Sequence, residues 1–405
     1  MTDIRLPDAL VRSNAETRIA LVVLDGLGGL PAPGHGQTEL EAARTPVLDD
    51  LAGSASLGML QPVAPGVTPG SGPGHLALFG YDPVAHPVGR GALSALGVGF
   101  PLEPGDLAVR LNLATLDGEG RVRDRRAGRP PDEEGRRVVE TLEAGLRPPD
   151  GVELHLGHEK EHRAVLILRG EAFGDRLQET DPQTTGVPPL EPEPLDEASR
   201  TSGRVLGEVL NQARDLLADE PVINGVLARG YAAHQGFPSL QERFGLQGAA
   251  VASYPMYRGV ARLVGMEATG EPASDPEAVE VLQDVWEAGR HDFHFLHFKG
   301  PDARGEDGDF DAKVAAIEGA DALLSAVRHL EPDVLVVTGD HATPASYGAH
   351  SWHTVPVLLA SRWARPTGDA FGETVCRQGD LGTLEARHLM SLMLAHAGRL
   401  EKFGA

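Results

Sequence analysis

The sequence predicts an α/β protein with a mostly parallel sheet, interrupted by an inserted α+β domain. Continuous apolar runs at 19–24, 333–338 and 355–360 are typical of strands that are covered on both faces. Between them, residues 101–280 hold most of the prolines, many arginines and a strand-rich pattern. The expected domain bounds are 1–98 with 285–405 for the first domain and 99–284 for the inserted domain.

The remaining elements follow from local patterns. Thr45 and Pro46 are suited to the N-cap and first position of a helix that continues to about residue 51. Alternating or continuous apolar residues indicate further strands, and helical periodicity indicates further helices. These predicted elements are strands at 108–116, 163–168 and 291–299, and helices at 75–79, 195–217, 277–288, 310–330 and 384–397.

Composition excludes several classes of partner. The chain has 405 residues, 41% of them apolar, and a formal net charge of −23. That charge repels nucleic acid and anionic membranes, so we expect neither as a partner. A single cysteine, Cys376, and an N-terminus without an apolar segment predict a cytoplasmic protein with no signal peptide. A homo-oligomeric state is compatible with the sequence.

Asp340 and His341 follow the predicted strand 333–338 directly, at its carboxyl end. A loop aspartate that caps the next turn would explain Asp340 without any ligand. The alternative is a metal site, because carboxylate oxygens and imidazole nitrogens are ligands of catalytic divalent ions. Matching ligands at other strand ends would distinguish the two interpretations.

Other strand ends do supply such ligands. The carboxyl ends of parallel strands gather at one edge of an open sheet, where ligands bind. Asp302 and Glu306 are four residues apart and so share one face of a helical turn, although a solvated acidic loop also explains the stretch 302–309. Together with a nearby serine, these groups favour a two-metal site. The candidate ligands are Asp25, Asp302, Glu306, Asp340, His341, His350 and His353.

Ser71 lies in a glycine-rich turn, GSGPG, before the predicted helix at 75–79. A helix cap is the simpler explanation for this serine. Beside two metal ions, however, a serine suits phosphoryl transfer, because one ion activates the hydroxyl and the other neutralises phosphate oxygens. A Ser-His-Asp hydrolase is the weaker hypothesis, because the sequence around Ser71 does not match GxSxG and offers no convincing base.

Residues 121–129, RVRDRRAGR, contain five arginines within a very acidic protein. They are either a solvated basic loop or a clamp for phosphate and carboxylate. The clamp fits better, because guanidinium groups bind such anions bidentately. Asp124 is a candidate to position a substrate hydroxyl and accept its proton. Further basic candidates for this clamp are Arg163, Arg229, Arg258 and Lys299.

These motifs together identify a resemblance that covers nearly the whole chain. The sequence resembles the cofactor-independent (2,3-bisphosphoglycerate-independent) phosphoglycerate mutases, in the shorter archaeal-type branch of the alkaline phosphatase superfamily. The stretches that carry the resemblance are 23–28 (VLDGLG), 70–83, 89–99 (GRGALSALGVG), 105–129, 224–230, 258–266, 299–309 and 338–351.

The resemblance implies a three-layer, alkaline-phosphatase-like domain and an inserted transferase domain that closes over the site. It also implies isomerisation of 3-phosphoglycerate and 2-phosphoglycerate, a small phosphorylated metabolite, through a phosphoserine at Ser71. The implied ligands are Asp25, Ser71, Asp340 and His341 for one metal ion, and Asp302, the residue at 306 and His350 for the other. The implied substrate-binding residues are Asp124, Arg125, Arg163, Arg229, Arg258 and Lys299.

Glu306 departs from the family pattern, which usually has histidine at this position. A carboxylate replaces a neutral nitrogen with a charged oxygen, so we expect Mn²⁺ or Mg²⁺ in preference to Zn²⁺. The substitution also motivates an alternative, a catalytically silent metal-binding protein. The nearer alternative is a phosphomonoesterase or phosphotransferase of the same superfamily.

Overall fold

The computed structural model describes residues 10–12, 15–170, 173–234 and 236–404. The chain forms two compact units. The larger comprises the described residues up to Pro87 and those from Pro238 onward, and the smaller comprises Val88–Phe237. Three segments of the sequence therefore form two compact units.

The structure allows a search for membrane-spanning helices, but it does not describe all of the N-terminal residues on which the signal-peptide prediction depends. Among the described residues, no helix combines the length and the apolar character that crossing a membrane requires. Residues 1–9, 13 and 14, on which the signal-peptide prediction partly depends, lie outside the described residues.

The strands are numbered in chain order. They are β1 (Ile19–Leu24), β2 (Ser56–Gln61), β3 (Leu107–Leu116), β4 (Val122–Asp124), β5 (Glu153–Lys160), β6 (Arg163–Arg169), β7 (Gly225–Ala233), β8 (Gly248–Ala252), β9 (Glu267–Ala268), β10 (Phe293–Phe298), β11 (Val334–Thr338), β12 (Val355–Ser361) and β13 (Gly382–Glu385).

The α-helices are numbered in the same way, and short 3₁₀ helices span Glu197–Ser199 and Ala386–His388. The α-helices are α1 (Glu39–Ala42), α2 (Pro46–Ala52), α3 (Ser71–Leu78), α4 (Arg90–Gly97), α5 (Asp132–Gly145), α6 (Arg200–Leu216), α7 (Leu240–Phe244), α8 (Pro255–Leu263), α9 (Asp275–Glu287), α10 (Gly300–Glu306), α11 (Phe310–Arg328), α12 (Glu373–Cys376) and α13 (Leu389–His396).

An eight-stranded sheet organises the larger unit, in the order β13-β2-β12-β11-β1-β10-β8-β9. β1 pairs in parallel with both β10 and β11, whereas β12 runs antiparallel to its neighbours β11 and β2. Every residue of β1 is buried. Alternate residues Ala20, Val22 and Leu24 join one core cluster with side chains of α9 and α11, and the intervening residues are buried on the opposite face. The predicted mostly parallel sheet is confirmed.

The register of the central strands brings their carboxyl ends together. Leu24 of β1 pairs with Phe298 of β10, and Val23 pairs with Thr338 of β11. The loops that leave these three strands therefore start side by side at one edge of the sheet.

The smaller unit is an α+β structure, as predicted. β3 lies at the centre and pairs antiparallel with β4, β6 and β7, while β5 extends the sheet from β6. Apolar side chains of α5 and α6, among them Val138, Leu142 and Val205, form a core with Leu107 and Leu111 of β3. This unit therefore has its own hydrophobic core.

The unit boundaries lie elsewhere than at the expected positions 98/99 and 284/285. Helix α4 belongs to the smaller unit, where it contacts β3 and β7. Residues 238–284 belong to the larger unit, because β8 pairs in parallel with β10. The sequence of β8, GAAVA, is too short and too rich in alanine to be recognised as a strand.

Two predicted helices have different limits in the structure. The helix predicted at 75–79 begins earlier, at Ser71, because Gly70 takes the extended N-cap conformation. The helix predicted at 384–397 begins later, at Leu389, because residues up to Glu385 form β13 beside β2. Ser71 is thus the first residue of a helix and not part of the turn before it.

Candidate metal centre

Acidic and imidazole side chains converge at the carboxyl edge of the large sheet. Asp25 follows β1, and Asp340 and His341 follow the neighbouring β11. Asp302 lies in α10, which begins just after β10 on the other side of β1. All four side chains are buried. Strand register thus brings together residues that are far apart in sequence.

The possible ligand atoms form two groups. One comprises Asp25, Asp340 and His341, and the other comprises Asp302, His341 and His350. In each group the ligand atoms lie within 4.8 Å of one another. Among the described residues these are the only groups of three or more such side chains, and His341 belongs to both.

Hydrogen bonds assign the tautomer of His341. The Thr343 hydroxyl donates to Asp302 Oδ1 at 2.6 Å, so its oxygen remains to accept a hydrogen bond from His341 Nδ1 at 3.0 Å. The proton of the neutral imidazole is therefore on Nδ1, and Nε2 carries a lone pair. A histidine whose second nitrogen is held in this way is typical of metal ligands.

Three lone pairs meet at His341 Nε2. This nitrogen lies 3.3 Å from Asp25 Oδ1 and 3.2 Å from Asp340 Oδ2. Both carboxylate oxygens are buried and lack a hydrogen-bond partner in the described part of the chain. His75 Nδ1 lies 3.2 Å from Asp340 Oδ2, but its proton is directed at the Ser71 carbonyl. Neither carboxylate oxygen receives a proton from Nε2, so burying these atoms side by side is costly, and a cation relieves that cost. The residues present therefore fit a divalent ion.

The second oxygen of Asp25 is held by the protein itself. Oδ2 accepts hydrogen bonds from the Tyr257 hydroxyl, from His297 Nε2 at 3.2 Å and from Lys299 Nζ at 3.0 Å. Burial opposes ionisation of Asp25, but the His297 hydrogen bond and the Lys299 charge outweigh it and hold the pKa of Asp25 well below its usual range. Asp25 therefore presents only Oδ1 to the centre.

Ser71 lies beside the same nitrogen. Its Oγ is 3.2 Å from His341 Nε2, so the hydroxyl donates to the lone pair of that nitrogen. One turn later in α3, His75 Nδ1 donates to the Ser71 carbonyl at 2.8 Å. Gly74 permits this approach, because a Cβ there would lie 2.5 Å from the Asp340 carbonyl oxygen. The helix that carries Ser71 thus rests directly on the backbone that carries Asp340.

Glu306 and His350 lie at the outer side of the centre. His350 Nε2 is 3.4 Å from Asp302 Oδ1, and its ring stacks on His341 with centroids 3.6 Å apart. Glu306 Oε1 is 3.6 Å from His350 Nε2, but its side chain is 54% exposed and it belongs to neither ligand group. His353 also lies outside both groups, and its Nδ1 is 3.1 Å from Ser351 Oγ.

Two of the predicted substrate-binding cations lie in the larger unit. Lys299 Nζ bridges Asp25 Oδ2 and Asp302 Oδ2, the latter at 2.5 Å. Burial lowers the pKa of Lys299, but the two carboxylates outweigh burial and raise it above the usual value. Arg258 is buried, and its guanidinium contacts Glu271 at 3.1 Å and the Ser253 carbonyl. The structure therefore brings Lys299 to the metal centre, whereas Arg258 pairs with Glu271 and the Ser253 carbonyl.

In the smaller unit, Asp124 and Arg125 are held by their own surroundings. The two oxygens of Asp124 accept hydrogen bonds from the backbone nitrogens of Arg126 and Gly128, both at 2.8 Å. Arg125 donates to Asp181 from Nε at 2.7 Å and from Nη2 at 2.8 Å. Asp181 is buried, so this bidentate ion pair fixes the plane of the guanidinium.

Arginines of the smaller unit create a positive environment. Burial and the charges of Arg163, Arg126, Arg110 and Arg129 lower the pKa of His162 to about 4. His162 is therefore neutral at pH 7, because a further positive charge is unfavourable there. Such a set of arginines is suited to an anionic ligand. The remaining predicted residue, Arg229, lies 3.3 Å from the carboxylate of Asp181.

Five residues of these sites were not among the sequence-based predictions. They are Tyr257 and His297, which hold Asp25; His75, below Ser71; Thr343, which sets the His341 tautomer; and Asp181, which binds Arg125. Three of them lie within two positions of a residue that the sequence singled out: Tyr257 precedes Arg258, His297 lies two before Lys299, and Thr343 lies two after His341. His75 lies one helical turn after Ser71, whereas Asp181 is recognisable only from its contact with a distant segment.

Comparisons with known proteins give one consistent result. A family model described as 2,3-bisphosphoglycerate-independent phosphoglycerate mutase matches residues 52–223. A probable 2,3-bisphosphoglycerate-independent phosphoglycerate mutase from Thermus thermophilus is 52% identical over 393 residues, which cover 96% of each chain. A protein of the same description from Deinococcus radiodurans is 45% identical over 397 residues, again covering 96% of each chain.

Solved structures extend this similarity to the fold. A protein from Pyrococcus horikoshii is 30% identical and superposes with a TM-score of 0.82, covering 98% of this chain and 100% of its own. A cofactor-independent phosphoglycerate mutase from Thermoplasma acidophilum is 28% identical with a TM-score of 0.71, covering 94% of this chain and 100% of its own.

Proposed function

The chain belongs to the 2,3-bisphosphoglycerate-independent phosphoglycerate mutase family and interconverts 3-phosphoglycerate and 2-phosphoglycerate, and we propose that Ser71 carries the phosphoryl group between the two hydroxyls. The observation that supports this role is the position of Ser71 Oγ, 3.2 Å from His341 Nε2. Around that nitrogen lie the unpaired oxygens of Asp25 and Asp340. A nucleophile beside a cation site is the arrangement that phosphoryl transfer requires.

Two divalent ions, Mn²⁺ or Mg²⁺ in preference to Zn²⁺, are part of the proposal. When bound, they would activate the Ser71 hydroxyl and neutralise the phosphate oxygens. The proposed ligands are Asp25, Ser71, Asp340 and His341 for one ion, and Asp302, Glu306 and His350, with His341 at the boundary of the two groups, for the other.

The start of helix α3 supports the same role for Ser71. As the first residue of the helix, Ser71 lies among backbone N–H groups that have no partner within the helix. Those groups and the positive end of the helix favour a phosphoryl group on the Ser71 oxygen. The helix thus stabilises the negative charge that the covalent step brings to this position.

The reaction then has two symmetrical steps. Ser71 loses its hydroxyl proton as Oγ attacks phosphorus; a new P–O bond forms, the bond to glycerate breaks, and the released glycerate oxygen takes up a proton. In the second step the other glycerate hydroxyl loses its proton and attacks phosphoserine, the Oγ–P bond breaks, and Ser71 Oγ takes up a proton. No water is consumed, and the protons balance over the cycle.

Residues of the smaller unit are proposed to hold the glycerate. Asp124 accepts one backbone hydrogen bond at each oxygen and keeps further lone pairs, so it is suited to exchange a proton with a glycerate hydroxyl. The smaller unit is thus proposed as the substrate-binding domain. The proposed anion-binding residues are Arg125, Arg163 and Arg229 of this unit, and Arg258 and Lys299 of the larger unit.

The cellular setting forms the last part of the proposal. A net charge of −23 supports the absence of nucleic-acid partners, and a single buried cysteine supports a reducing compartment such as the cytoplasm. A homo-oligomeric state is proposed as well, and light scattering of the purified protein tests it.

The chemistry is tested by coupling the enzyme to enolase with 3-phosphoglycerate as substrate. We expect activity that a chelator removes and that Mn²⁺ or Mg²⁺ restores. Quenched enzyme should carry one phosphoryl group at Ser71 during turnover, as seen by mass spectrometry of the peptide. Release of free phosphate without 2-phosphoglycerate would instead identify a phosphatase.

A further inference from the structure

Behind the metal centre, the lysine side chain at 313 binds two loops at once. Lys313 lies in α11 and is fully buried. Its Nζ donates to the carbonyl oxygen of Gly28 at 3.1 Å and to that of Thr343 at 2.8 Å. Gly28 belongs to the loop that follows Asp25, and Thr343 belongs to the loop that follows His341. One side chain thus joins the two loops that carry Asp25 and His341.

Two buried glutamates extend this connection. Glu39 accepts a hydrogen bond from the backbone nitrogen of Ala345 at 2.6 Å, and its Oε2 lies 4.0 Å from Lys313 Nζ. Glu373 accepts from the backbone nitrogen of Gly29 at 2.9 Å. We call Lys313, Glu39 and Glu373 the buried charged cluster. All three members bind backbone groups of the same two loops.

Stability alone is a poor explanation for this cluster. Taking three charged side chains out of water is costly, and well-packed apolar residues of similar volume often stabilise a fold as well or better. Charged groups in a buried position do provide directed hydrogen bonds, which apolar side chains cannot. Four of the directed bonds here end on the backbone of the ligand-bearing loops, and Glu373 also accepts from the Thr38 hydroxyl at 2.6 Å.

We propose that Lys313, supported by Glu39 and Glu373, is a positioning residue that sets the spacing of the two ligand-bearing loops and thereby the affinity for divalent ions. None of the three touches a proposed ligand side chain. The inference rests on the proposed metal centre, in which Asp25 and His341 bind the same ion. A small shift of either loop would separate these two ligands and so lower the affinity of the site for the ion.

The test compares two variants in the same helix. Lys313→Met removes both hydrogen bonds at similar volume, whereas Leu324→Ala removes a buried apolar side chain that makes no hydrogen bond to either loop. Both should lower the melting temperature. Only Lys313→Met should weaken Mn²⁺ binding, by about 10-fold or more, as measured by electron paramagnetic resonance of free Mn²⁺. The Co²⁺ complex of Lys313→Met should also have a visible absorption spectrum that differs from that of the wild-type complex.

Further variants keep the outcome decisive. If Lys313→Met does not fold, Lys313→Gln takes its place, because glutamine retains one hydrogen-bond donor. Its loss of Mn²⁺ affinity should be measurable but smaller than the loss of about 10-fold or more expected for Lys313→Met. Unchanged Mn²⁺ affinity and Co²⁺ spectrum in a folded Lys313 variant would overturn the inference while leaving the metal centre intact. If the wild-type protein binds no Mn²⁺, or if Asp340→Asn binds it equally well, the metal centre itself is wrong and the inference falls with it.

Discussion

The side-chain oxygen of Ser71 lies 3.2 Å from Nε2 of His341, although the two residues are 270 positions apart. The Thr343 hydroxyl keeps the proton of this imidazole on the opposite nitrogen. The proposed nucleophile therefore faces a lone pair and two carboxylates. The lone pair alone would also suit a general base, but the two carboxylate oxygens beside the same nitrogen favour a cation at this position and activation of Ser71 by that cation.

Ser71→Ala should abolish turnover without unfolding the protein. The substitution removes the proposed phosphoryl acceptor, while alanine remains a good helix former at the first position of α3. Activity in the enolase-coupled assay should fall to background, and phosphopeptide analysis should find no phosphoserine. Ser54→Ala, which changes an exposed serine on the surface, serves as the control and should behave as wild type. Near-normal turnover by Ser71→Ala would contradict the covalent route.

Glu306→Ala tests whether the unusual carboxylate is a metal ligand. If Glu306 binds an ion together with His350, from which it lies 3.6 Å away, its removal should weaken binding of one of two Mn²⁺ equivalents by about 10-fold or more. Calorimetric titration measures both equivalents separately. Asp307→Ala removes the adjacent exposed carboxylate, which pairs with Arg304, and should leave Mn²⁺ binding unchanged. Identical titrations for the two variants would exclude Glu306 as a ligand.

Arg125→Ala should lower kcat/KM by about 10- to 150-fold, the equivalent of a charge-assisted contact worth about 1.5–3 kcal/mol. Because Asp181 binds the guanidinium bidentately, Asp181→Asn should produce a smaller decrease by loosening its orientation. Arg137→Ala is the matched control, because it removes an exposed arginine of the same unit that binds Glu220 bidentately. If Arg125→Ala lowers only the melting temperature, Arg125 serves to hold the Asp181 loop and does not bind substrate.

His294 should make the protein less stable in acid. Burial, and to a smaller extent the nearby His291 charge, lower the pKa of His294 from 6.5 to about 4. The unfolded chain therefore binds more protons than the folded one between these values, so stability is fully present above pH 6.5 and is lost as pH falls toward 4. A shift of this size corresponds to about 3 kcal/mol in total.

His294→Phe should reduce this pH dependence. The ring packs against Trp286 with centroids 4.4 Å apart, so an aromatic replacement retains the contact without the titrating group. Urea unfolding at neutral and at mildly acidic pH measures the difference. His162, whose pKa is also about 4, should account for part of the remaining dependence.

The sequence predicts the central strands and their ligands well for a physical reason. β1 and β11 are buried on both faces, so their apolar runs are continuous, and polar residues mark where each strand ends. Asp25 and Asp340 are recognisable because they occupy those ends. β8 is not recognisable, because its small residues carry little information about burial or pairing.

Contacts between distant segments explain the remaining differences. Nothing near Arg125 in the sequence indicates that Asp181, 56 positions later, binds its guanidinium. Lys313 is one charged residue in a helix with several others, and only the fold reveals that it is buried against two carbonyl oxygens. Sequence patterns report burial and local geometry, whereas partner choice depends on how separate segments come together.

Strand β1 illustrates what a discontinuous unit means for a chain still on the ribosome. Its partner β10 is completed about 270 residues later, which at 5–20 residues per second takes roughly 15 to 55 s of synthesis. Val88–Phe237 is one uninterrupted stretch and is complete well before that moment. During this interval six consecutive apolar residues have no strand beside them, so the nascent chain must avoid aggregation until its C-terminal third emerges.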